Sequence, residues 1–547
     1  MKYGKGFFMK KYITMGLAAA LSAVLVFAQT EAADDSQIEL PDLTTVVTGG
    51  ADTQDYAPPP SFEDVLDIPY DSGDVVPVLP SASASDESDL IAAGTQASQK
   101  DIYAEGKIGG GYPASFTGDF EIARLYGADP FKISFTHNSN AGFAGHNLAD
   151  GYKEGKTAIA LEKDFIRRNL RWGIAGRYED TVNGFQSKVT DICANNQDAA
   201  MLSGNLLWSL PNDFYLGFDV DSQFYFRFAD ITQSSNAGFE APDSLSRVTA
   251  DPKLTFSWIH NGFEISLDSL YNLEAWDKAS NRGEFNLNFA WGNDKIKLMA
   301  AAGIVVGNTI GDNAVIPPFS VGLETALPVY FSDRKLNLSL RGGLESYRKT
   351  TSELEHAYKF SGTEELTGET SDWFGRLNLL VPLKASFTGK IAAGYAATAF
   401  GNGVWTPDYT KDNLVNGLYG FSSKGRSELY TDFAFTWKYK IFAASAEYHA
   451  NWMDIPVLEN KHKIAVNFAL QSQKGLWGVN LDTAYLLDAE DNKPIINLEG
   501  YVQATSSVRI VLSVSDMLKF LGAEERLYAG QYAANSGNAT VLVKFLF

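Results

Sequence analysis

From Phe214 to Phe228 the chain alternates without a break. One register reads Phe214, Leu216, Phe218, Val220, Ser222, Phe224, Phe226 and Phe228; the other reads Tyr215, Gly217, Asp219, Asp221, Gln223, Tyr225 and Arg227. A period of two held for about fifteen residues makes a strand with one greasy face and one charged face. A helix would scatter these phenylalanines, because residues three or four apart share a face there. The stretch is also longer than the usual strand of roughly five or six residues. Its apolar face needs either a facing sheet or hydrocarbon.

The same texture recurs from residue 101 to residue 547. Leu170, Trp172, Ile174 and Tyr178 oppose Arg171, Arg177 and Glu179, and Leu336, Leu338 and Leu340 oppose Asn337, Ser339 and Arg341. Tight turns are expected near Ile166–Asn169, Pro211-Asn212, Asn261-Gly262, Asn293-Asp294, Ser332-Asp333, Pro382-Leu383, Tyr439-Lys440, Gln473-Lys474 and Thr505-Ser506. Longer connectors alternate with them, among them Asn138–Glu154, Asp180–Ala199, Arg348–Ser371, Ala397–Lys424 and Leu518–Asn538. Short turns on one side and long connectors on the other make the hairpin meander of an outer-membrane barrel. The expected fold is all-β: a single large transmembrane antiparallel β-barrel of about 22 strands. Odd strands should run outward and even strands inward, with both ends of the barrel in the periplasm. A string of soluble sandwiches also reads as short strands with turns. Against it stand near-uniform strand lengths, the absence of a linker after residue 100, and aromatics at strand ends (Trp172, Tyr178, Trp208, Trp258, Trp291, Trp437). Rings of that kind prefer the membrane interface.

The first hundred residues differ. Lys2, Lys5, Lys10 and Lys11 precede an apolar run, Ile13–Ala28, that ends in small residues. That is the form of a secretory signal peptide, expected at residues 1–28. From Gln29 to Gln99 there is no Lys or Arg, while Asp and Glu recur and Pro58-Pro59-Pro60, Pro69, Pro77 and Pro80 interrupt regular structure. Residues 29–100 are expected to be an acidic, Pro/Ser-rich periplasmic segment, mostly disordered. No later stretch reaches 18 uninterrupted apolar residues, so any membrane crossing falls to strands. The net charge of −21 with no basic stripe argues against a nucleic-acid partner.

Val541, Val543, Phe545 and Phe547 alternate to the last residue. This resembles the terminal strand of Gram-negative outer-membrane proteins, in which Val543, Phe545 and Phe547 would be the signal read by the barrel-assembly machinery. Strand number and length resemble the barrel of TonB-dependent outer-membrane receptors, and Thr44, Thr45, Val46, Val47 and Thr48 resemble their TonB box. The resemblance implies a TonB-like periplasmic partner through residues 42–50. It covers residues 101–547 in architecture; the folded plug of that family has no counterpart in the acidic segment.

Six scattered histidines and the lone Cys193 offer no metal-ligand spacing, and no nucleophile elbow, P-loop or dinucleotide fingerprint is present. No cofactor and no enzymatic activity are expected. Gly106–Gly111, ahead of Pro113, reads as a close-packed or kinked strand. The polar register supplies candidate lumen-lining residues: Arg171, Arg177, Asp219, Asp221, Arg227, Glu264, Asp268, Arg341, Glu345, Arg376, Glu428 and Asp432. Their mixed signs suggest ion pairs across the lumen. Three functions fit: a transporter, receptor or channel for a small solute; a surface-binding or structural barrel using Trp405, Tyr409 and Tyr419 of its longest loop; and a passive porin or fatty-acid-type channel. In each, outer-membrane lipid covers the apolar face.

Overall fold

Hairpins organise the chain, and their turns show the local chemistry at work. At Asn261-Gly262 two consecutive residues have positive φ (48° and 80°), and His260 pairs directly with Phe263 across them. Asn-Gly accepts that conformation at little cost, and the resulting turn matches the twist of the flanking strands. Asn212 and Asp213 do the same at φ 62° and 63°.

The computed structural model describes residues 102–546, apart from 125–128, 144–145, 147, 190–191, 232–243, 276–277, 294, 311–314, 330–331, 385, 410–413, 416–417, 454–460, 488–492 and 529–530. Residues 1–101, with the expected leader and the acidic segment with its TonB-box-like residues, and Phe547 lie outside the described residues.

Among the described residues, twenty-two strands form one antiparallel sheet that closes on itself, and a two-residue strand, Val315–Ile316, adds to it opposite Val305 and Val306. The first eleven are β1 (Tyr103–Tyr112), β2 (Ser115–Arg124), β3 (Phe131–Ala141), β4 (Lys153–Ile166), β5 (Leu170–Gly184), β6 (Ile192–Leu210), β7 (Phe214–Ile231), β8 (Leu245–His260), β9 (Phe263–Ala275), β10 (Ala279–Gly292) and β11 (Ile296–Gly307). The remainder are β12 (Phe319–Val329), β13 (Ser332–Tyr347), β14 (Thr370–Lys384), β15 (Phe387–Gly401), β16 (Ser427–Tyr439), β17 (Phe442–Asn451), β18 (His462–Gln471), β19 (Trp477–Leu486), β20 (Ile495–Thr505), β21 (Val508–Ser515) and β22 (Asn538–Leu546). Each strand pairs with the next, and β1 pairs with β22 from Glu105↔Leu546 to Tyr112↔Ala539. The glycine run belongs to β1 itself. A Cβ on Gly109 or Gly111 would collide with the backbone of β22, so these glycines let the closing seam come together.

The outward register is mainly apolar: Phe224 is 61% exposed, Val321 62% and Leu287 55%. Burying each such side chain is worth about 1.5–3 kcal/mol, so a wall of them implies hydrocarbon as the surrounding phase. Aromatic rings gather at the short-turn rim. Phe165 stacks on Trp172 at 3.9 Å, Phe263 meets Trp291 at 6.0 Å, and Phe387 meets Trp437 at 5.9 Å. Both ends of the barrel chain, at β1 and β22, lie on this rim too, as the strand parity requires.

Two expected turns move. Ser332 opens β13, and Pro382-Leu383 fall inside β14. A register shift sits beside each, between Pro328 and Val329 and between Pro382 and Lys384. Bulges are where a strand tolerates proline, so β14 continues past Pro382 and its turn falls later, whereas the turn expected at Ser332-Asp333 falls earlier, between Val329 and Ser332. The expected Asp180–Ala199 connector is also largely strand, since β5 runs to Gly184 and β6 begins at Ile192.

Candidate functional site

The connector between β13 and β14 folds into the lumen. Its Thr350 starts a short helix, α1 (Thr351–Ala357), through a capping box: the Thr350 hydroxyl accepts from the Glu353 amide at 3.3 Å, and the Glu353 carboxylate accepts from the Thr350 amide at 2.6 Å. The box fixes where the helix begins, and that places Glu355 toward the wall. The Glu355 carboxylate is buried and accepts three bonds: from Arg227 Nη1 at 2.8 Å, from the Tyr225 hydroxyl at 2.6 Å, and from the Thr363 amide at 3.0 Å. Burial holds Glu355 above the ordinary carboxylate range, and the pull of Arg227 and Tyr225 only partly offsets it.

Further pairs hold the connector on either side of α1. Arg348 donates to Glu274 of β9 at 2.6 Å, and the Thr351 amide donates to the same carboxylate at 3.1 Å. Glu369 accepts Arg282 Nε of β10 through both oxygens at 3.0 Å, and Ser346 at 2.6 Å. His356 brings Nε2 to 3.6 Å from Glu179 of β5, while its Nδ1 bonds the Ser352 carbonyl at 2.8 Å. Burial alone would lower the His356 imidazole, but Glu179 and the Ser352 carbonyl outweigh it and raise the group above its ordinary value. Lys359 reaches Glu154 of β4 at 3.1 Å.

A small aromatic core lies over these ion pairs. Phe185, Ile192, Phe360, Tyr419 and Tyr532 form it, drawn from four different outer connectors and the first residue of β6. Phe360 and Tyr532 stack at 3.8 Å, and Tyr409 meets Tyr419 edge-on at 5.0 Å. The loop aromatics expected to face an external partner therefore face inward. Tyr419 is buried, and Trp405 Nε1 donates to the Gly368 carbonyl of the inserted connector at 3.2 Å. The described parts of four outer connectors thus pack on one another.

All twelve candidate lumen residues lie in the polar register, but they do not pair across the lumen. Arg177 pairs with Glu179 two residues on (2.7 Å), Arg171 with Asp164 (3.0 Å), Arg376 with Glu345 (2.8 Å), and Asp432 with His449 (2.5 Å). Glu264 approaches Lys297 at 4.0 Å, and Asp268 accepts from Thr255 and Asn288 at 2.8 Å each. Asp219 faces Lys253 and Asp221 faces Asp251 in the β7–β8 ladder. Arg341 lies opposite Arg376 and donates to Ser320 at 3.2 Å, and Glu428 accepts from Arg426 at 3.3 Å. A barrel of this size is too wide for side chains to meet in the middle, so the pairs run along the wall. Arg227 is the exception, because the connector carries its partner to it. The residues that hold the connector (Arg348, Glu355, Glu369, Glu274 and Arg282) were absent from the sequence expectation. Thr350-x-x-Glu353 ahead of Leu354 was the available signal for α1.

No family model matches this sequence, and no curated protein matches it. Solved structures do match its fold. The copper transporter OprC superimposes with a TM-score of 0.60 at 9% identity, over 82% of this chain and 81% of that one. The likeness is one of barrel fold. The FrpB iron transporter from Neisseria meningitidis gives 0.61 at 8% identity, covering 82% of this chain and 81% of its own. The siderophore receptor PirA from Acinetobacter baumannii gives 0.57 at 8% identity, with the same coverage of 82% and 81%. At such identities the likeness carries the fold alone: a large closed antiparallel β-barrel.

Proposed function

We propose that this chain takes up a small solute through its barrel, and that the β13–β14 connector is the gate, closed at rest. The observation carrying this reading is the seating of Glu355 on Arg227 and of Glu369 on Arg282, inside the lumen and below the aromatic core. A purely structural barrel has no need of a connector held there by buried ion pairs. The structural neighbours named for copper, iron and siderophores support a metal-bearing solute. In this reading residues 1–28 are a cleaved leader and residues 29–100 a periplasmic segment. Thr44–Thr48, within residues 42–50, engage a TonB-like protein that supplies the work of opening. Val543, Phe545 and Phe547 direct assembly, and the twelve polar-register residues line the path.

Planar-bilayer conductance tests it. The full chain should be nearly silent, a chain lacking residues 29–100 should behave alike, and one lacking residues 350–366 should conduct. Silence from all three would end the pore reading.

A further inference from the structure

At the short-turn end of β2 to β5 the charges sort by face. Glu121 of β2 pairs with Lys132 of β3 at 2.9 Å, and Asp164 of β4 pairs with Arg171 of β5 at 3.0 Å, all in the polar, inward register. Strand parity puts Lys163, next to Asp164, on the opposite face. Phe131 and Arg124 share that face, because Arg124↔Phe131 and Phe131↔Lys163 are direct partners in the two ladders. The row Arg124–Phe131–Lys163 therefore points outward. The next outward row, one step further from the turns, is Ile122–Ile133–Leu161, whose two isoleucines are exposed.

Two cations on an apolar wall need a counter-charge, and the protein supplies none. Arg124 Cζ lies 5.8 Å from the centre of the Phe131 ring and Lys163 Nζ 5.9 Å from it, so a single ring is common to both. Lys163 Nζ is also 5.1 Å from the centre of Phe165, the ring stacked on Trp172. Aromatic faces attract cations but leave their charge in place. Arg124 Nε is buried with no acceptor, and Lys163 donates to the Asp129 carbonyl at 3.2 Å. The Asp129 carboxylate is taken by Arg167, also at 3.2 Å. No carboxylate pairs with Arg124 or Lys163 among the described residues, and residues 125–128, next in the chain, are Leu, Tyr, Gly and Ala and bring no acid. Arg168, exposed beside Arg167, adds further positive charge.

We propose that this row seats the phosphate of an anionic phospholipid, whose acyl chains lie against Ile122, Ile133 and Leu161. The phosphate rests beside the Phe131 ring, within reach of both cations. A phosphodiester that accepts from a different donor through each of two oxygens spans roughly 8 Å between those donors. The two side chains leave the sheet about 10 Å apart, two strand spacings of ~4.8 Å, and both are long enough to close the difference. Arg124 ends β2 and Phe131 opens β3, so the row stands at the rim, where hydrocarbon gives way to headgroups. Positive charge at the rim with apolar surface directly behind it matches an amphiphile. A free anion gains nothing from the isoleucines, and a lipid of no net charge leaves the cations uncompensated. The site depends on lipid covering the wall and is independent of the uptake reading.

Native mass spectrometry of the full chain released from detergent micelles reads the first bound lipid directly. Dioleoyl phosphatidylglycerol is the probe, dioleoyl phosphatidylcholine its counterpart without net charge, and glycerophosphoglycerol the same headgroup without chains. Wild-type protein should prefer the phosphatidylglycerol about tenfold over the phosphatidylcholine and should hold no detectable glycerophosphoglycerol. The double variant Arg124→Gln, Lys163→Gln should bind the two lipids alike. Arg124→Lys should keep most of the preference, and Lys132→Gln, which removes one charge from the lumen face of the same strands, should keep all of it. Heat-dependent gel mobility of each variant confirms that its barrel has folded. No preference in wild type, or an undiminished one in the double variant, would overturn the proposal. Equal losses in Lys132→Gln and the double variant would do the same, by showing that overall charge and no particular row selects the lipid. Glycerophosphoglycerol bound as tightly as the intact lipid would leave a headgroup site without the apolar half and overturn it too.

Discussion

The two sides of this barrel wall solve the same problem differently. On one side β6, β7 and β8 run for 19, 18 and 16 residues; on the other β17, β18 and β19 have 10 each and β21 has 8. About 9–11 residues cross a bilayer, so the short strands are close to membrane length while the long ones rise well beyond it. The connector docks on the tall side. There Gln197, Arg227, Arg247, Glu274 and Arg282 are all buried, whereas Asp432, His449, Lys463 and Asp482 on the short side stay half-buried. Charge of comparable density thus has two fates. Where the connector covers it, Arg227, Glu274 and Arg282 each pair with a connector side chain and hold the connector in place; where water reaches it, the same chemistry contributes little.

The sharpest way to break that contrast is Glu355→Ala. It strands Arg227 inside the protein, and removing one partner of a buried pair costs about 3–5 kcal/mol. The connector should undock, and single-channel conductance should rise strongly in planar bilayers. An unchanged trace would mean that the ion pair does not hold the gate. Tyr532→Ala should come next. It removes the ring stacked on Phe360 and empties part of a core whose large-to-small changes cost about 3–5 kcal/mol when rigid. A core made of connectors can relax, so the effect should fall below that range. Hydrogen exchange across residues 348–369 reads it directly, as faster exchange than in wild type.

Much of this was legible in the chain, for physical reasons that also mark where legibility stopped. Phe214–Phe228 reveals its two faces because strand parity is a local property, and Asn261-Gly262 reveals a turn because left-handed φ is one too. Strand number followed from counting such turns. The displaced turns at Ser332 and Pro382 needed knowledge of bulges, which depend on the partner strand. The docked connector was least readable. Glu355 meets Arg227 across 128 residues of sequence, and no periodicity encodes such a pair. The expectation that ions would pair across the lumen failed for lack of a diameter, which only the closed barrel supplies.

A smaller effect on the tall side should come from pH. His356 is faced by Glu179, by Lys156 behind it, by the Ser352 carbonyl, and by the Tyr225 ring at 5.8 Å. Its pKa is raised above the ordinary 6.5 when docked, so it favours the docked state fully below that value. That contribution disappears as pH rises through the elevated pKa. Glu355, also raised, has the same sign: its proton favours docking at low pH, and the preference is lost as the pH passes its own shifted value. The fraction of time open should therefore increase from mildly acidic to alkaline pH. His356→Gln should flatten the upper part of that profile while leaving the aromatic core in place. A profile equally steep in the variant would remove His356 from the gate.

The smallest expected effect belongs to the short side and decides whether the contrast is real. Asp432 and His449 form a close pair at 2.5 Å, and in a list of distances it looks stronger than Arg227–Glu355 at 2.8 Å. Distance is the wrong criterion here. Both Asp432 and His449 remain partly open to water, where an ion pair contributes about 0–1 kcal/mol because solvation offsets attraction. No connector side chain is among the bonds described for Asp432, so its loss leaves no buried charge stranded and releases nothing. Asp432→Ala should leave gating and thermal stability close to wild type, and a modest shift in ion selectivity of an opened variant should be the most it does. If Asp432→Ala opened the pore as Glu355→Ala should, pairing alone would govern this lumen, and burial beneath the connector would not matter.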